Sequence, residues 1–241
     1  MGSIIEAFSG SVALRAATVP GTGTLRIRAA RREDFAAIRA LQRQAHPGIA
    51  AWTLKQLDSQ RRAFPEGQFV ADCGGEVVGA ASTLILKWDH FLLDQKWKHV
   101  TGDGCFTTHE LGGRTLFGAE LVVNFARRGT GAARSLYLAQ RRLCRRLNLR
   151  RVIIAARMPG YAALEEAMSP ETYAQRVVWG DIEDANLRFA TALGFQYCGV
   201  IRGYMPEDRE SRGHAALVVW LNPLHSPDEP PAKVERPPKC A

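Results

Sequence analysis

Arg128-Gly129-Thr130-Gly131-Ala132-Ala133 is the stretch whose reading decides the fold. It stands between an apolar run at residues 116–123 and a basic stretch at residues 132–147, where Leu136, Ala139, Leu143 and Leu147 recur at helical spacing. A glycine-rich turn from strand to helix aims several backbone N–H groups at one point, where the helix dipole also favours negative charge. Such a turn is a cradle for a pyrophosphate. Glycine at 129 and 131 removes Cβ atoms where phosphates would approach the backbone. The nucleotide-triphosphate loop needs Gly-Lys-Ser/Thr at its end, and the dinucleotide fingerprint needs a third glycine with an acid about 20 residues on. Neither fits, because no lysine follows the glycines and Arg150-Arg151 stand in the acid's neighbourhood. A strand-to-helix turn that binds nothing is the other reading of these six residues.

The chain has 241 residues, 46% of them apolar and 23% charged, which suits one globular domain with one core. Its five cysteines (Cys73, Cys105, Cys144, Cys198, Cys240) are scattered without ligand spacing, so neither a zinc site nor a disulfide framework is indicated. No metal is expected, and a reducing cytoplasm is the expected location. Residues 1–23 do not read as a secretory signal, and no run approaches the length of a membrane span, so no membrane partner is expected. The net charge of +8 is concentrated in nine arginines between Arg127 and Arg151. That field steers a polyanion. Nucleic acid is the rival ligand, yet no aromatic interleaving or nucleic-acid motif accompanies the arginines.

Along the chain, residues 25–29 alternate as a half-buried strand does, and Phe35, Ile38 and Leu41 then fall at helical spacing. Trp52, Leu54, Leu57 and Phe64 give a second helix, and residues 68–72 and 76–86 a hairpin around Cys73-Gly74-Gly75. Residues 87–114 read as a long loop; strand 116–124, helix 132–147 and strand 152–156 follow. Residues 157–181 read as a second long loop, before a helix at 183–193 and closing strands at 195–204 and 215–221.

The spacing Arg128-x-x-Gly131-x-Ala133 resembles the (Gln/Arg)-x-x-Gly-x-(Gly/Ala) signature of the GNAT N-acetyltransferases, and Leu193-Gly194-Phe195 resembles the Leu-Gly-Phe that closes that family's last helix. The pieces Phe64-Pro65-Glu66-Gly67-Gln68, Gly104-Cys105-Phe106-Thr107-Thr108-His109 and Gly203-Tyr204-Met205-Pro206-Glu207-Asp208 resemble a subgroup often fused ahead of a carbon–nitrogen hydrolase (nitrilase-like) domain. The likeness is to the acyltransferase half alone, which leaves a separate hydrolase as a partner. The resemblance implies an α/β (α+β) fold over residues 24–223. In it a mixed, mostly antiparallel sheet splays between its fourth and fifth strands, with helices on both faces. Residues 1–23 and the Pro-rich residues 224–241 are expected to be disordered.

Acetyl-CoA is the donor that the resemblance implies, with a small amine as acceptor and a homodimer as one form of assembly. Its pantetheine arm would lie along Leu121, Val122 and Val123, and its pyrophosphate on Arg128, Gly129, Thr130, Gly131, Ala132, Ala133 and Arg134, with Asn186 of the later helix joining the set. Two positions depart from the family. Ala190 stands where many members have a tyrosine acid, so Tyr161, Tyr173 or Tyr204 would replace it, with Tyr204 taken as the candidate. Phe125 stands where proline commonly follows a strand bulge, expected here near Val122. For the base, Glu120 is the only acid on the fourth strand, and His109 in the first long loop is the second candidate. Trp88, Trp97, Phe106, Tyr161 and Trp179 are expected to wall the acceptor pocket. The competing readings are a non-catalytic acyl-CoA-binding regulatory module and a basic nucleic-acid-binding domain.

Overall fold

The computed structural model describes residues 18–19, 23–87, 95–127 and 129–231. Strands β1 (Gly23–Ala29), β2 (Gln68–Cys73), β3 (Glu76–Leu86), β4 (Thr115–Val123), β5 (Arg151–Arg157), β6 (Gln196–Ile201) and β7 (Ala215–Leu221) form one sheet. Thr18–Val19 adds a two-residue strand at its edge. From that edge the order is β1, β2, β3, β4, β5, β7, β6, and every pairing is antiparallel except β4 with β5. Helices α1 (Phe35–Ala45), α2 (Leu54–Ala63) and the short α3 (Trp97–Thr101) precede β4; α4 (Ala132–Arg146) joins β4 to β5; α5 (Pro170–Trp179) and α6 (Ala185–Ala192) follow β5.

Alternation along the parallel pair divides the core between two faces. Leu116 and Val152 pack with Leu143, Leu187 and Phe195 on the α4–α6 side, whereas their neighbours Phe117 and Ile153 pack with Phe35, Ile38 and Leu57 on the α1–α2 side. Helices therefore cover both faces, as expected. No helix among the described residues is long and apolar enough to cross a membrane.

The parallel pairing of β4 with β5 holds from Thr115↔Arg151 to Gly118↔Ile154 and stops there, although β4 runs on to Val123 and β5 to Arg157. The strands splay. Beside the divergence, Ser82 pairs with Glu120 but Thr83 pairs with Gly118, so Ala119 is an extra residue in β4. A bulge bends and twists the strand that carries it. It lies at Ala119 and not near Val122, because the register of β3 with residues 120–123 is unbroken. Trp97 Nε1 donates to the bulged Ala119 carbonyl at 3.3 Å.

Three sequence expectations are corrected. The stretch 157–181 is not a plain loop: α5 starts on Ser169, whose Oγ accepts from the Thr172 N–H, with Pro170 in the first turn. That Ser-Pro start was the available signal. The closing strand 195–204 ends at Ile201, leaving Tyr204 in the turn beyond. The tail does not leave the fold at residue 223, because Asn148 Nδ2 donates to the carbonyls of Ser226 and Glu229 at 3.0 and 3.1 Å.

Candidate active site at the splay of β4 and β5

The splay opens into a cleft of about 1060 Å³, with Leu121, Val122 and Val123 on one wall and Ala155, Ala156 and Arg157 on the other. Beyond Gly118 and Ile154 the two facing strand edges have no strand partner among the described residues, so the backbone groups that do not bond β3 or β7 are left toward the cleft. An extended chain bearing amides can pair there as a strand does. Asn186, in the first turn of α6, also lines the cleft. Its helix is pinned by buried Asp184, which accepts from the N–H groups of Asn186 and Leu187 and from the Tyr173 hydroxyl.

At the open end of β4 the glycine turn leads into α4. Gly129 and Gly131 take φ of 82° and 77°, and a Cβ at either would meet nothing within 4 Å. Both positions need the left-handed backbone and face open space. Thr130 is buried and spends its hydroxyl on the Ala132 N–H at 3.3 Å. The first-turn N–H groups of Ala133 and Arg134 find no acceptor among the described residues, and these are the groups a helix start offers to an anion. Ala133 lines the cleft. Arg128 lies outside the described residues.

On the α1 side Glu120 projects from β4 into a polar network. His46 Nε2 lies 3.0 Å from Oε1, and Gln42 Nε2 donates to Oε2 at 3.3 Å. Arg157, the last residue of β5, holds His46 from behind, with Nη1 2.8 Å from Nδ1. A guanidinium only donates, so Nδ1 accepts and the proton of the neutral ring sits on Nε2, directed at Glu120. Arg157 also grips Asp208 with two bonds of 2.6 Å and reaches Glu210 at 2.8 Å. Tyr204 is buried at the same cleft; burial first, and then the Glu120 charge, push its hydroxyl well above its usual value. Tyr137, on α4, lines the cleft and packs against Phe189 of α6; burial pushes it up to about 12. Both phenols stay protonated at neutral pH.

The structure thus brings Glu120, Tyr204, Leu121, Val122, Val123, Ala133 and Asn186 to one cleft. His109 is not there. Its Nδ1 accepts from the Ile85 N–H at 3.0 Å, its ring stacks on Phe64, and burial pushes it down to about 4. It is a half-buried structural histidine outside the cleft lining, which corrects the second base candidate. Unfolded, this ring protonates near 6.5; folded, only near 4. The unfolded chain therefore binds the extra proton between those values, and stability falls as pH is lowered through that window. We expect a loss of about 2 kcal/mol once screening of a partly exposed ring is allowed for. His109→Asn keeps an acceptor without a titrating ring, and urea unfolding from pH 7 to 4 should show the acid loss reduced.

The expected aromatic wall is also redrawn. Trp97 lines the cleft, stacked with Trp52 at 6.2 Å, while Phe106 and Tyr161 are buried in the core and Trp179 is 70% exposed. Trp88 lies outside the described residues. Tyr161 donates to the Met168 carbonyl and Tyr173 to Asp184, so neither serves the cleft. His46, Gln42, Arg157 and Tyr137 were missed as site residues. His46 carried one signal, its place just past the amphipathic helix α1, but nothing in the sequence pointed from it to Glu120.

No protein-family model matches the chain. Over 203 residues it is 34% identical to a probable hydrolase of Bacillus subtilis, YhcX; the match takes in 84% of this chain and 40% of that protein. A Bacillus subtilis protein described as an uncharacterized N-acetyltransferase, YkwB, is 28% identical over 176 residues, 73% of this chain and 77% of its own. Among solved structures, the GNAT-like decarboxylase GphF in complex with isobutyryl-CoA superposes with a TM-score of 0.70 at 24% identity, covering 82% of this chain and 99% of the other. The chain has the GNAT fold.

Proposed function

We propose that the protein is an acyl-CoA-dependent N-acyltransferase that moves an acetyl group from acetyl-CoA to a small amine in the cytoplasm. One observation carries the reading: the edge of β4 without a strand partner among the described residues has the left-handed Gly129/Gly131 turn a few residues beyond its end at Val123, and Glu120, whose carboxylate is held by His46 and Gln42, near its start. Two known proteins support it, the acetyltransferase relative and the GNAT-like structure solved with an acyl-CoA. When bound, acetyl-CoA supplies a thioester, whose carbonyl an amine can attack. The turn and the first N–H groups of α4 hold the pyrophosphate, and the edge at Leu121–Val123 orients the arm. Backbone N–H groups of β4 stabilise the oxyanion that develops at the carbonyl. Glu120, steadied by His46 and Gln42, takes a proton from the acceptor's ammonium directly or through water, and the free amine so formed attacks the carbonyl. With Ala190 buried in α6, a proton for the departing thiolate comes from Tyr137, on the α4 side, while Tyr204 faces Glu120.

Charge favours an amine over an acid. Among the described residues the cleft lining holds five carboxylates (Asp103, Glu120, Glu207, Asp208, Glu210) against two cations (Lys98, Arg157), inside a chain of net charge +8. A cationic acceptor is drawn into the cleft. A separate carbon–nitrogen hydrolase is proposed as a partner, on the strength of the partial match to the hydrolase relative.

A thiol-release screen of acetyl-CoA against small amines, polyamines, amino acids and peptides tests the proposal, and release with a small amine is expected. Saturable binding without release across the panel would favour the non-catalytic module. Salt-sensitive DNA or RNA binding that coenzyme A does not displace would favour the nucleic-acid domain.

The turn has its own test. Gly131→Ala forces a Cβ into the left-handed region and points it at the phosphates, so it should cost about 1 kcal/mol of stability and also weaken coenzyme A binding. Gly180→Ala, at φ 92° where α5 ends and outside the cleft lining, imposes similar backbone strain away from the turn. It should lower the melting temperature alone, with coenzyme A titrations unchanged.

A further inference from the structure

The cleft has two sides. Ala133 and Tyr137 of α4 and Asn186 and Phe189 of α6 line it on the face where the glycine turn lies, whereas His46, Ile49, Trp52, Trp97, Tyr204 and Met205 line it on the α1–α2 face, where Glu120 points. The second group is tied to Glu120 bond by bond. Trp97 Nε1 donates to the carbonyl of Ala119, the residue before Glu120, at 3.3 Å, and its backbone N–H donates to the Tyr204 carbonyl at 2.8 Å. Trp52 stacks with Trp97, and its N–H donates to Oε1 of Gln42, the residue whose Nε2 bonds Glu120. The Ile49 N–H donates to the His46 carbonyl at 3.1 Å, so the turn that carries Ile49 starts from the histidine on Glu120. Ile49, Trp97 and Met205 line the cleft and are only half-buried, so each keeps apolar surface that an occupant can cover.

The ion pairs of the cleft decide how many charges that occupant carries. Glu207 is bonded to Lys98 at 2.9 Å, and Asp208 and Glu210 to Arg157 at 2.6 and 2.8 Å. These three acids add to the field that draws a cation in, but their own partners are already in place. Glu120 is different, because it is half-buried and meets only the neutral His46 ring and the Gln42 amide. Asp103 has no ion pair among the described residues, yet it is exposed, where a pair with an ammonium is worth little. One ammonium therefore has a good partner, and a second has none. A carboxylate fares worse still: Lys98 and Arg157 are both engaged, and the carboxylate of an amino acid would be carried up to Glu120 beside its own nitrogen, like charge against like.

We propose, on the strength of the acyl-transfer reading, that the acceptor is an arylalkylamine: a primary amine with one positive charge and no carboxylate, its nitrogen at Glu120 and its ring against Ile49, Trp97 and Met205. A straight diamine of similar length leaves its far ammonium on this apolar wall, where desolvation opposes it. A short alkylamine satisfies Glu120 but leaves the wall uncovered.

Steady-state transfer from acetyl-CoA by the full chain, with 2-phenylethylamine, propylamine, 1,4-diaminobutane and phenylalanine as acceptors, tests the proposal. The kcat/KM for 2-phenylethylamine should exceed that of each of the other three at least about 10-fold, part of what burying a phenyl group is worth. Ile49→Glu puts an acid into the wall. It should lower the ratio of 2-phenylethylamine to 1,4-diaminobutane at least about 10-fold, with coenzyme A binding unchanged because Ile49 lies on the opposite side from the turn. Met205→Ala, which only removes apolar surface, should lower the ratio of 2-phenylethylamine to propylamine and serves if the first variant misfolds. Damage to the fold alone would lower all acceptors together and leave both ratios where they were. Equal or better use of propylamine, 1,4-diaminobutane or phenylalanine by the wild type overturns the proposal, as do ratios that hold in the variants. If no amine releases thiol, calorimetric titration of the coenzyme A complex separates the two readings. Tighter binding of 2-phenylethylamine than of propylamine keeps the apolar site while acyl transfer fails; no preference overturns the site, and a chain that does not bind coenzyme A overturns the acyl-CoA reading itself.

Discussion

Glu120→Gln should lower turnover about 100- to 10,000-fold, the usual worth of a positioned general base, while acyl-CoA affinity stays within about twofold of wild type. The carboxylate accepts from His46 on one oxygen and from Gln42 on the other. An amide in its place keeps one of those bonds and turns an NH2 group toward a donor, which costs about 1 kcal/mol of stability. The fold should survive with a melting temperature lowered by a few degrees. The loss of turnover should deepen at low pH, where free amine is scarcest and proton removal matters most. Steady-state rates over pH, together with direct binding of coenzyme A, separate these effects. A loss of under tenfold, or one matched by weakened coenzyme A binding, would make Glu120 a structural residue.

Local features were legible in the sequence, and long-range ones were not. The Gly129/Gly131 turn could be read because glycine spacing, an apolar strand and a helix adjoin within about 30 residues. The splay followed from the resemblance alone. Glu120 stood out as the single acid in β4, but what makes it a site lies far away in sequence: His46 is 74 residues off, and Arg157 meets His46 across 111. Two loop histidines looked alike. Tertiary packing sends His46 to a carboxylate and a guanidinium, and His109 to the face of Phe64 and a backbone N–H. The bulge at Ala119 left no mark in composition, since its register is set by pairing with Ser82 and Thr83.

Arg157→Met should destabilise the protein by about 3–5 kcal/mol at pH 7, because it leaves Asp208, 2% exposed, as an unpaired buried charge. Differential scanning calorimetry should record a fall in melting temperature of about 10 °C. Burial alone would push the Asp208 carboxyl up; hydrogen bonds from Arg157 and Ser211 outweigh it and hold the group below the ordinary carboxylate range. In the wild type this pairing contributes stability above the unfolded value of 3.8 and loses it as pH falls lower. Without Arg157 the sign reverses: burial dominates, the acid protonates at higher pH, and neutralisation relieves the variant. The gap between variant and wild type should therefore narrow on acidification from pH 7 toward 4. Adding Asp208→Asn should recover much of the loss, since the uncompensated charge is gone. Activity should not return with it. His46 would still lack the guanidinium that fixes its proton on Nε2, so the hydrogen bond to Glu120 would no longer be enforced. A double variant that regains both stability and turnover would show that Arg157 serves Asp208 alone.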